Sequence, residues 1–326
     1  AWEHCVRAIV VGLPAPAQAR RPVPVTVLAV VGILGDAVVG SQVGFSALAS
    51  VDPGVWVAAG PMPGERAVLV VGGYASGCCD EGRLVQGDEP GLFVEQFSYR
   101  GLTSDGVPRP HPGTATDADV SRMARLVARQ VAKLARGSGG PVAIVAESEG
   151  TLVVWAYLEA YPDAPVDRVM FLSPIVDPGR ATYPEPGDEG LGVVAGHELR
   201  AVSALIDAMA PFVVSADGPL AGSVRREADG LQGEAGRDYP GIVEVALVPL
   251  ADAVVNPPGS DLGIPTIVVP ALHGGLRGRP EVQEMIRRWV RGEDLEASSL
   301  WLVVDHLISG SASAWRVPPL QRADVC

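Results

Sequence analysis

Basic charge is scarce. The 326 residues hold 25 Lys and Arg against 38 Asp and Glu, a formal net charge of −13. No basic run is longer than pairs such as Arg20-Arg21 and Arg225-Arg226. A nucleic-acid binder needs a basic stripe to displace counterions from phosphates, so no nucleic-acid partner is expected. Aromatic residues make up 5% of the chain, which leaves Val, Ala and Leu to fill the interior. Cysteine appears only as Cys5, Cys78, Cys79 and Cys326. The adjacent pair is awkward for a disulfide framework, and no CxxC spacing or HExxH motif suggests a metal. No uninterrupted apolar run nears the roughly 20 residues of a membrane-spanning helix. What the chain does have is 48% hydrophobic residues and a mean hydropathy of +0.24, too apolar for a disordered chain and ample for a sizeable core. Gly (39) and Pro (29) are frequent without a Gly-X-Y period, so tight turns abound and collagen is excluded.

Residues 1–52 stand apart. From Pro22 to Val51 the only charged residue is Asp36, Arg20-Arg21 precede the stretch, and Ala47-Leu48-Ala49 has the small-x-small form of a signal-peptidase site. One reading is a signal or anchor, with membrane association through residues 22–51 and the remainder exported. Asp36 opposes it, because a bilayer centre penalises Asp by about 2.5–3.5 kcal/mol. In the other reading Val25–Val31 is a buried strand and Asp36 lies in the turn beyond. The expectation leans to export, where Cys78 or Cys79 could pair with a terminal cysteine.

Residues 53–326 read as one α/β domain. Short apolar runs alternate with helical patterns, the rhythm of a mostly parallel central sheet flanked by crossover helices. Strands are expected at Ala67–Val71, Gly91–Phe97, Pro141–Glu147, Val166–Leu172, Ile242–Val248 and Ile264–Val269. Helices are expected at Asp117–Arg136, with Thr116 as N-cap, at Glu149–Tyr161, and at Pro280–Arg291. Between about 177 and 240 the strand rhythm lapses into a Pro/Gly/Glu loop, a helical pattern (Glu198–Phe212) and a polar stretch (Arg225–Arg237), which reads as an inserted lid.

The segment Val142-Ala143-Ile144-Val145-Ala146-Glu147-Ser148-Glu149-Gly150-Thr151-Leu152 runs a hydrophobic strand into Ser148 and starts a helix at once. Small residues two positions either side of the serine let strand and helix approach across a sharp turn. This resembles the nucleophile elbow of the α/β-hydrolase family, small-x-Ser-x-Gly, with Ala146 in place of the usual first Gly. The resemblance extends over roughly Val55 to Arg291. Leu69-Val70-Val71-Gly72-Gly73-Tyr74 looks like the strand and turn that supply one oxyanion-hole N–H, from Gly73 or Tyr74; the second would come from Glu149, the residue after the nucleophile. Phe97-Ser98-Tyr99-Arg100-Gly101 is similar to a strand-end turn of the family and reads as structural.

The family order then implies an acid and a histidine downstream. His273, in Val268-Val269-Pro270-Ala271-Leu272-His273-Gly274-Gly275, looks like the family's histidine loop, with His306 as the rival. Asp252, after the strand ending at Val248, resembles the acid turn, and Asp177 is the alternative acid. The implied activity is a serine hydrolase cleaving a carboxylic ester, lactone or thioester of a small-molecule acyl substrate, with no cofactor. Acyl transfer on the same triad and a catalytically silent binding module stay open beside it.

Overall fold

The structure is a computed structural model that describes residues 60–78, 90–176, 218–234, 237, 239–250, 262–271, 276–296 and 300–305. Six strands form one parallel sheet: β1 (Arg66–Val71), β2 (Leu92–Gln96), β3 (Val142–Glu147), β4 (Val166–Leu172), β5 (Val243–Pro249) and β6 (Thr266–Val269). Their order across the sheet is β2-β1-β3-β4-β5-β6. The chain therefore runs outward from β1 to β2, crosses back to β3, and then proceeds in the other direction. That reversal falls between β1 and β3, which pair with Val71 opposite Ala146. Open parallel sheets form their ligand crevice at such a switch point, beyond the carboxyl ends of the strands.

The inner strands β1 and β3 are buried on both faces, as a parallel sheet requires, and read as nearly continuous apolar runs, whereas the edge strand β2 is half-buried along its length. Ala67, Leu69, Val71, Ile144, Ala146 and Phe171 face one helical layer. Val68, Val70, Ala143, Val145, Met170 and Leu247 face the other. The expected helices form on these faces. Helix α1 (Val120–Ser138) buries Val120, Met123, Val127, Val131 and Leu134, the stripe its 3.6-residue period predicts. It ends at Gly139, which takes a left-handed conformation (φ 74°) and donates its N–H to the Ala135 carbonyl. Helix α2 (Glu149–Ala160) is apolar almost all round and is buried accordingly, with Leu152, Val153, Val154, Trp155, Tyr157 and Leu158 inaccessible.

Two details differ from the sequence reading. The N-cap of α1 is Asp119, whose carboxylate accepts from the Arg122 N–H at 3.0 Å. Thr116 lies too early for that role and is used elsewhere, as described below. Within the segment expected as a lid, residues Pro219–Glu234 form a helix, α3. Adjacent parallel strands such as β4 and β5 need a crossover, and α3 supplies it. Leu220 and Val224 join the α1–α2 layer, the Asp117 carboxylate accepts from the Leu220 N–H, and Ser223 Oγ accepts from the Val120 N–H. Residues 177–217, including the helical pattern at 198–212, lie outside the described residues. Helix α4 (Pro280–Val290) covers the opposite face with Val282, Ile286, Trp289 and Val290; Pro280 opens it and Gly292 (φ 92°) follows its end.

Candidate active site

Ser148 stands at the carboxyl end of β3 with φ 50° and ψ −118°, a conformation that L-residues rarely adopt. Hydrogen bonds on both sides hold it there. The Ser148 N–H donates to the Leu172 carbonyl at 2.9 Å, and the Ser148 carbonyl accepts from both the N–H and the hydroxyl of Thr151, at 2.9 and 2.6 Å. Thr151 Oγ1 in turn accepts from the Ile175 N–H at 3.2 Å, tying the start of α2 to the loop after β4. The serine itself is half-buried, open to solvent on one side.

The small residues around it answer a measurable crowding. A β-carbon on Gly150 would stand 2.5 Å from the Val71 carbonyl oxygen and 2.9 Å from that of Gly72. One on Gly73 would stand 2.9 Å from Ser148 Cβ and 3.2 Å from the Glu147 carbonyl oxygen. Gly73 is thus pressed directly against the serine. Ala146 is fully buried between Val71 and Phe171, and its single methyl fits without displacement.

The turn carrying Gly73 and Tyr74 is braced from three directions. Ser76 N–H closes it onto the Gly73 carbonyl at 3.1 Å. Thr116 Oγ1 accepts from the Ala75 N–H at 3.0 Å, where Ala75 takes φ 58°. The buried Tyr99 hydroxyl donates to the Gly72 carbonyl at 2.6 Å. Burial, then Glu149 and Glu147, push the Tyr99 phenol well above its ordinary value, so it remains a donor. In the turn read from sequence as structural, the Ser98 hydroxyl donates to the Arg109 carbonyl at 2.6 Å.

Two carboxylates flank the serine in sequence, and a third, Asp117, is coupled to one of them. Glu147 lies 3.7 Å from the Arg277 guanidinium, which follows β6. Glu149 is 2% exposed, and neither of its carboxyl oxygens has a hydrogen-bond partner. Burial, reinforced by Asp117, holds its pKa well above the usual carboxylate range. Asp117 is capped by the Leu220 N–H.

Of the site residues expected from sequence, the structure brings Ser148, Gly73, Tyr74 and Glu149 together at the switch point. Asp252, His273, the alternative acid Asp177 and the rival His306 lie outside the described residues. Thr116, Tyr99, Thr151 and Arg277 were not singled out for this role. Only Thr151 had a local signal, a hydroxyl in the first turn of the helix that follows the serine. Cys78 is disulfide-bonded, and its partner lies outside the described residues. Among the described residues there is no cluster of metal-ligating side chains and no helix long and apolar enough to cross a membrane.

No protein-family model and no curated protein sequence matches the chain. Solved structures do resemble it. A monoacylglycerol lipase from Paleococcus ferrophilus is 18% identical, with a TM-score of 0.46 over 71% of this chain and 96% of that one. Lipase B from Aspergillus fumigatus is 15% identical, with a TM-score of 0.44 over 97% of this chain and 70% of that one. A thermophilic esterase from Thermogutta terrifontis is 20% identical, with a TM-score of 0.34 over 71% and 91%. The strand order and the serine elbow carry the fold assignment by themselves. This is an α/β-hydrolase fold. Activity is a separate matter, because one fold hosts many functions.

Proposed function

We propose that the protein is a serine hydrolase that cleaves a carboxylic ester, lactone or thioester through an acyl-enzyme. One observation carries this reading: Ser148 is held in a rare backbone conformation, half-open to solvent, with Gly73 packed against it at the carboxyl ends of β1 and β3. A serine that merely capped a helix would not need that conformation, which costs on the order of 1–3 kcal/mol.

In the proposed reaction Ser148 Oγ attacks the acyl carbonyl while the neutral imidazole of His273 takes its proton. The N–H of Gly73 or Tyr74 and that of Glu149 stabilise the tetrahedral oxyanion, usually the largest single catalytic contribution. The imidazolium returns the proton to the leaving group, and water, activated by the same ring, releases the acid. Asp252 orients His273, with Asp177 as the alternative. The Arg277–Glu147 pair supports the histidine assignment, since Arg277 is close in sequence to His273 and Glu147 immediately precedes Ser148.

The test is covalent labelling with a fluorophosphonate probe, followed by a panel of esters of increasing chain length. Labelling should disappear in Ser148→Ala while the circular dichroism spectrum is retained. Unchanged labelling of that variant would refute the assignment. We further propose export or membrane tethering through residues 22–51, a reading that the Cys78 disulfide supports because such bonds persist in oxidising compartments. A reporter fused after Val51 and found only in the cytoplasm would exclude it.

A further inference from the structure

The carboxyl group of Glu149 lies in a place that its charge does not suit. Glu149 opens α2, so its backbone N–H belongs to the serine elbow, while its side chain turns into the protein and is 2% exposed. Both carboxyl oxygens are shielded from solvent and neither accepts a hydrogen bond. Among the described residues, the titratable groups coupled to it are acidic or phenolic, Asp117 and Tyr99. Asp117, on the connection between β2 and α1, adds a repulsive charge. Tyr99, on that same connection, feels both Glu149 and Glu147. Tyr74 lies on the turn after β1, and Glu147 at the end of β3 is the carboxylate that Arg277 approaches. On α3 the Leu220 N–H is given to Asp117, and the Ser223 hydroxyl accepts from the Val120 N–H. Among the described residues, the favourable influence on an anion is the N-terminus of α2, equivalent to about half an elementary charge. That cannot replace the hydration and hydrogen bonds an ionised carboxyl loses on burial, so the neutral form is the stable one.

We infer that Glu149 occupies the elbow as an uncharged carboxylic acid and is a positioning residue whose negative charge would close the oxyanion hole. The inference rests on the serine-hydrolase reading above. The same residue would supply an N–H to the tetrahedral oxyanion, so a second negative charge on its side chain would oppose the charge that develops in the transition state. Ionisation would also force the buried side chain to seek water and disturb the first turn of α2. The protonated acid does neither. Activity is thereby confined to the pH range in which Glu149 keeps its proton, with burial and then Asp117 holding that range toward higher pH.

Two measurements on wild type, Glu149→Gln and Glu149→Met test this. The first does not depend on catalysis. A group protonated in the folded state and ionised in the unfolded state makes the folded protein less stable as pH rises above its ordinary value of 4.5. Above about pH 5.5 the unfolding constant of wild type should therefore rise with pH relative to that of both variants, approaching about tenfold per pH unit while Glu149 is ionised only in the unfolded state. Parallel pH–stability curves for all three proteins would overturn the neutral-acid assignment. The second measurement is kcat/KM for p-nitrophenyl acetate from pH 6 to 11, each protein normalised to its own maximum. Wild type should fall at the alkaline end by about tenfold per pH unit, and the two variants should lack that limb. Superimposable profiles would overturn the link to the oxyanion hole. Tyr99→Phe should keep the wild-type limb, and its loss there would assign the ionisation to the phenol instead. Absence of esterase activity and of fluorophosphonate labelling in wild type refutes the serine-hydrolase reading and the oxyanion role together, leaving the stability curves to judge the protonation state alone.

Discussion

The Arg277 guanidinium lies 3.7 Å from the Glu147 carboxylate, with the arginine side chain 39% and the glutamate side chain 12% exposed. It joins the segment after β6 to the strand end that bears Ser148. Neither its separation nor its exposure makes it a strong stabiliser, and a pair of this kind contributes about 0–1 kcal/mol. Its value would lie in geometry, since a catalytic base displaced by about 1 Å can lose a hundredfold in rate. Arg277→Gln is therefore expected to lower the melting temperature by less than about 4 °C while reducing kcat/KM by about tenfold or more. Thermal unfolding and steady-state kinetics on one preparation check this, and a stability loss with intact kinetics would contradict it.

Ser148 should be more stable as glycine than as serine. Its φ of 50° is a region glycine enters freely and other residues avoid. Ser148→Gly is expected to abolish fluorophosphonate labelling and to raise unfolding stability by about 1 kcal/mol. A destabilised Ser148→Gly would mean that the elbow carries no strain to release.

Gly150→Ala should act in the opposite sense. The added methyl would stand 2.5 Å from the Val71 carbonyl oxygen and 2.9 Å from that of Gly72. Both are backbone atoms, so a rotamer change offers no escape and α2 must move away from β1. Overpacking of this kind costs about 1–3 kcal/mol and sometimes more. The expected result is a lower denaturation midpoint together with lost esterase activity, because the same shift widens the gap between Gly73 and Ser148. Equilibrium unfolding in urea is the direct measurement.

Much of this layout was legible in the sequence, for a specific reason. A parallel sheet covered on both faces writes its strands as apolar runs, so Ala67–Val71, Val142–Ala146 and Val169–Leu172 announced themselves, and the serine between β3 and α2 followed. Less legible was anything that depends on two distant segments meeting. Thr116 looked like a helix cap because a hydroxyl before an apolar stripe usually is one; the structure gives the cap to Asp119 and uses Thr116 against Ala75, far away in sequence. The stretch around Arg225–Arg237 carries too many charges for an obvious helix face, yet α3 forms through Glu234. It is held by the Leu220 N–H on Asp117, the Ser121 hydroxyl on Glu227 and the Arg226–Asp119 ion pair, contacts that no local pattern announces.

Thr151 offers the sharpest separation of elbow architecture from chemistry, because it touches the serine only through the backbone. It is fully buried; its hydroxyl donates to the Ser148 carbonyl at 2.6 Å and accepts from the Ile175 N–H at 3.2 Å. Thr151→Val keeps the shape but removes both bonds. The Ser148 carbonyl still receives the Thr151 N–H, whereas the Ile175 N–H is left buried without its acceptor. An unsatisfied group of this kind costs about 1–3 kcal/mol. The melting temperature is expected to fall by about 3–10 °C, and Ser148 should label with fluorophosphonate more slowly but to completion. Thr151→Ser retains the hydroxyl and should restore the labelling rate. If Thr151→Val labels as fast as wild type despite its lower stability, the hydroxyl bridge serves only the packing of α2 against β4 and not the pose of the nucleophile.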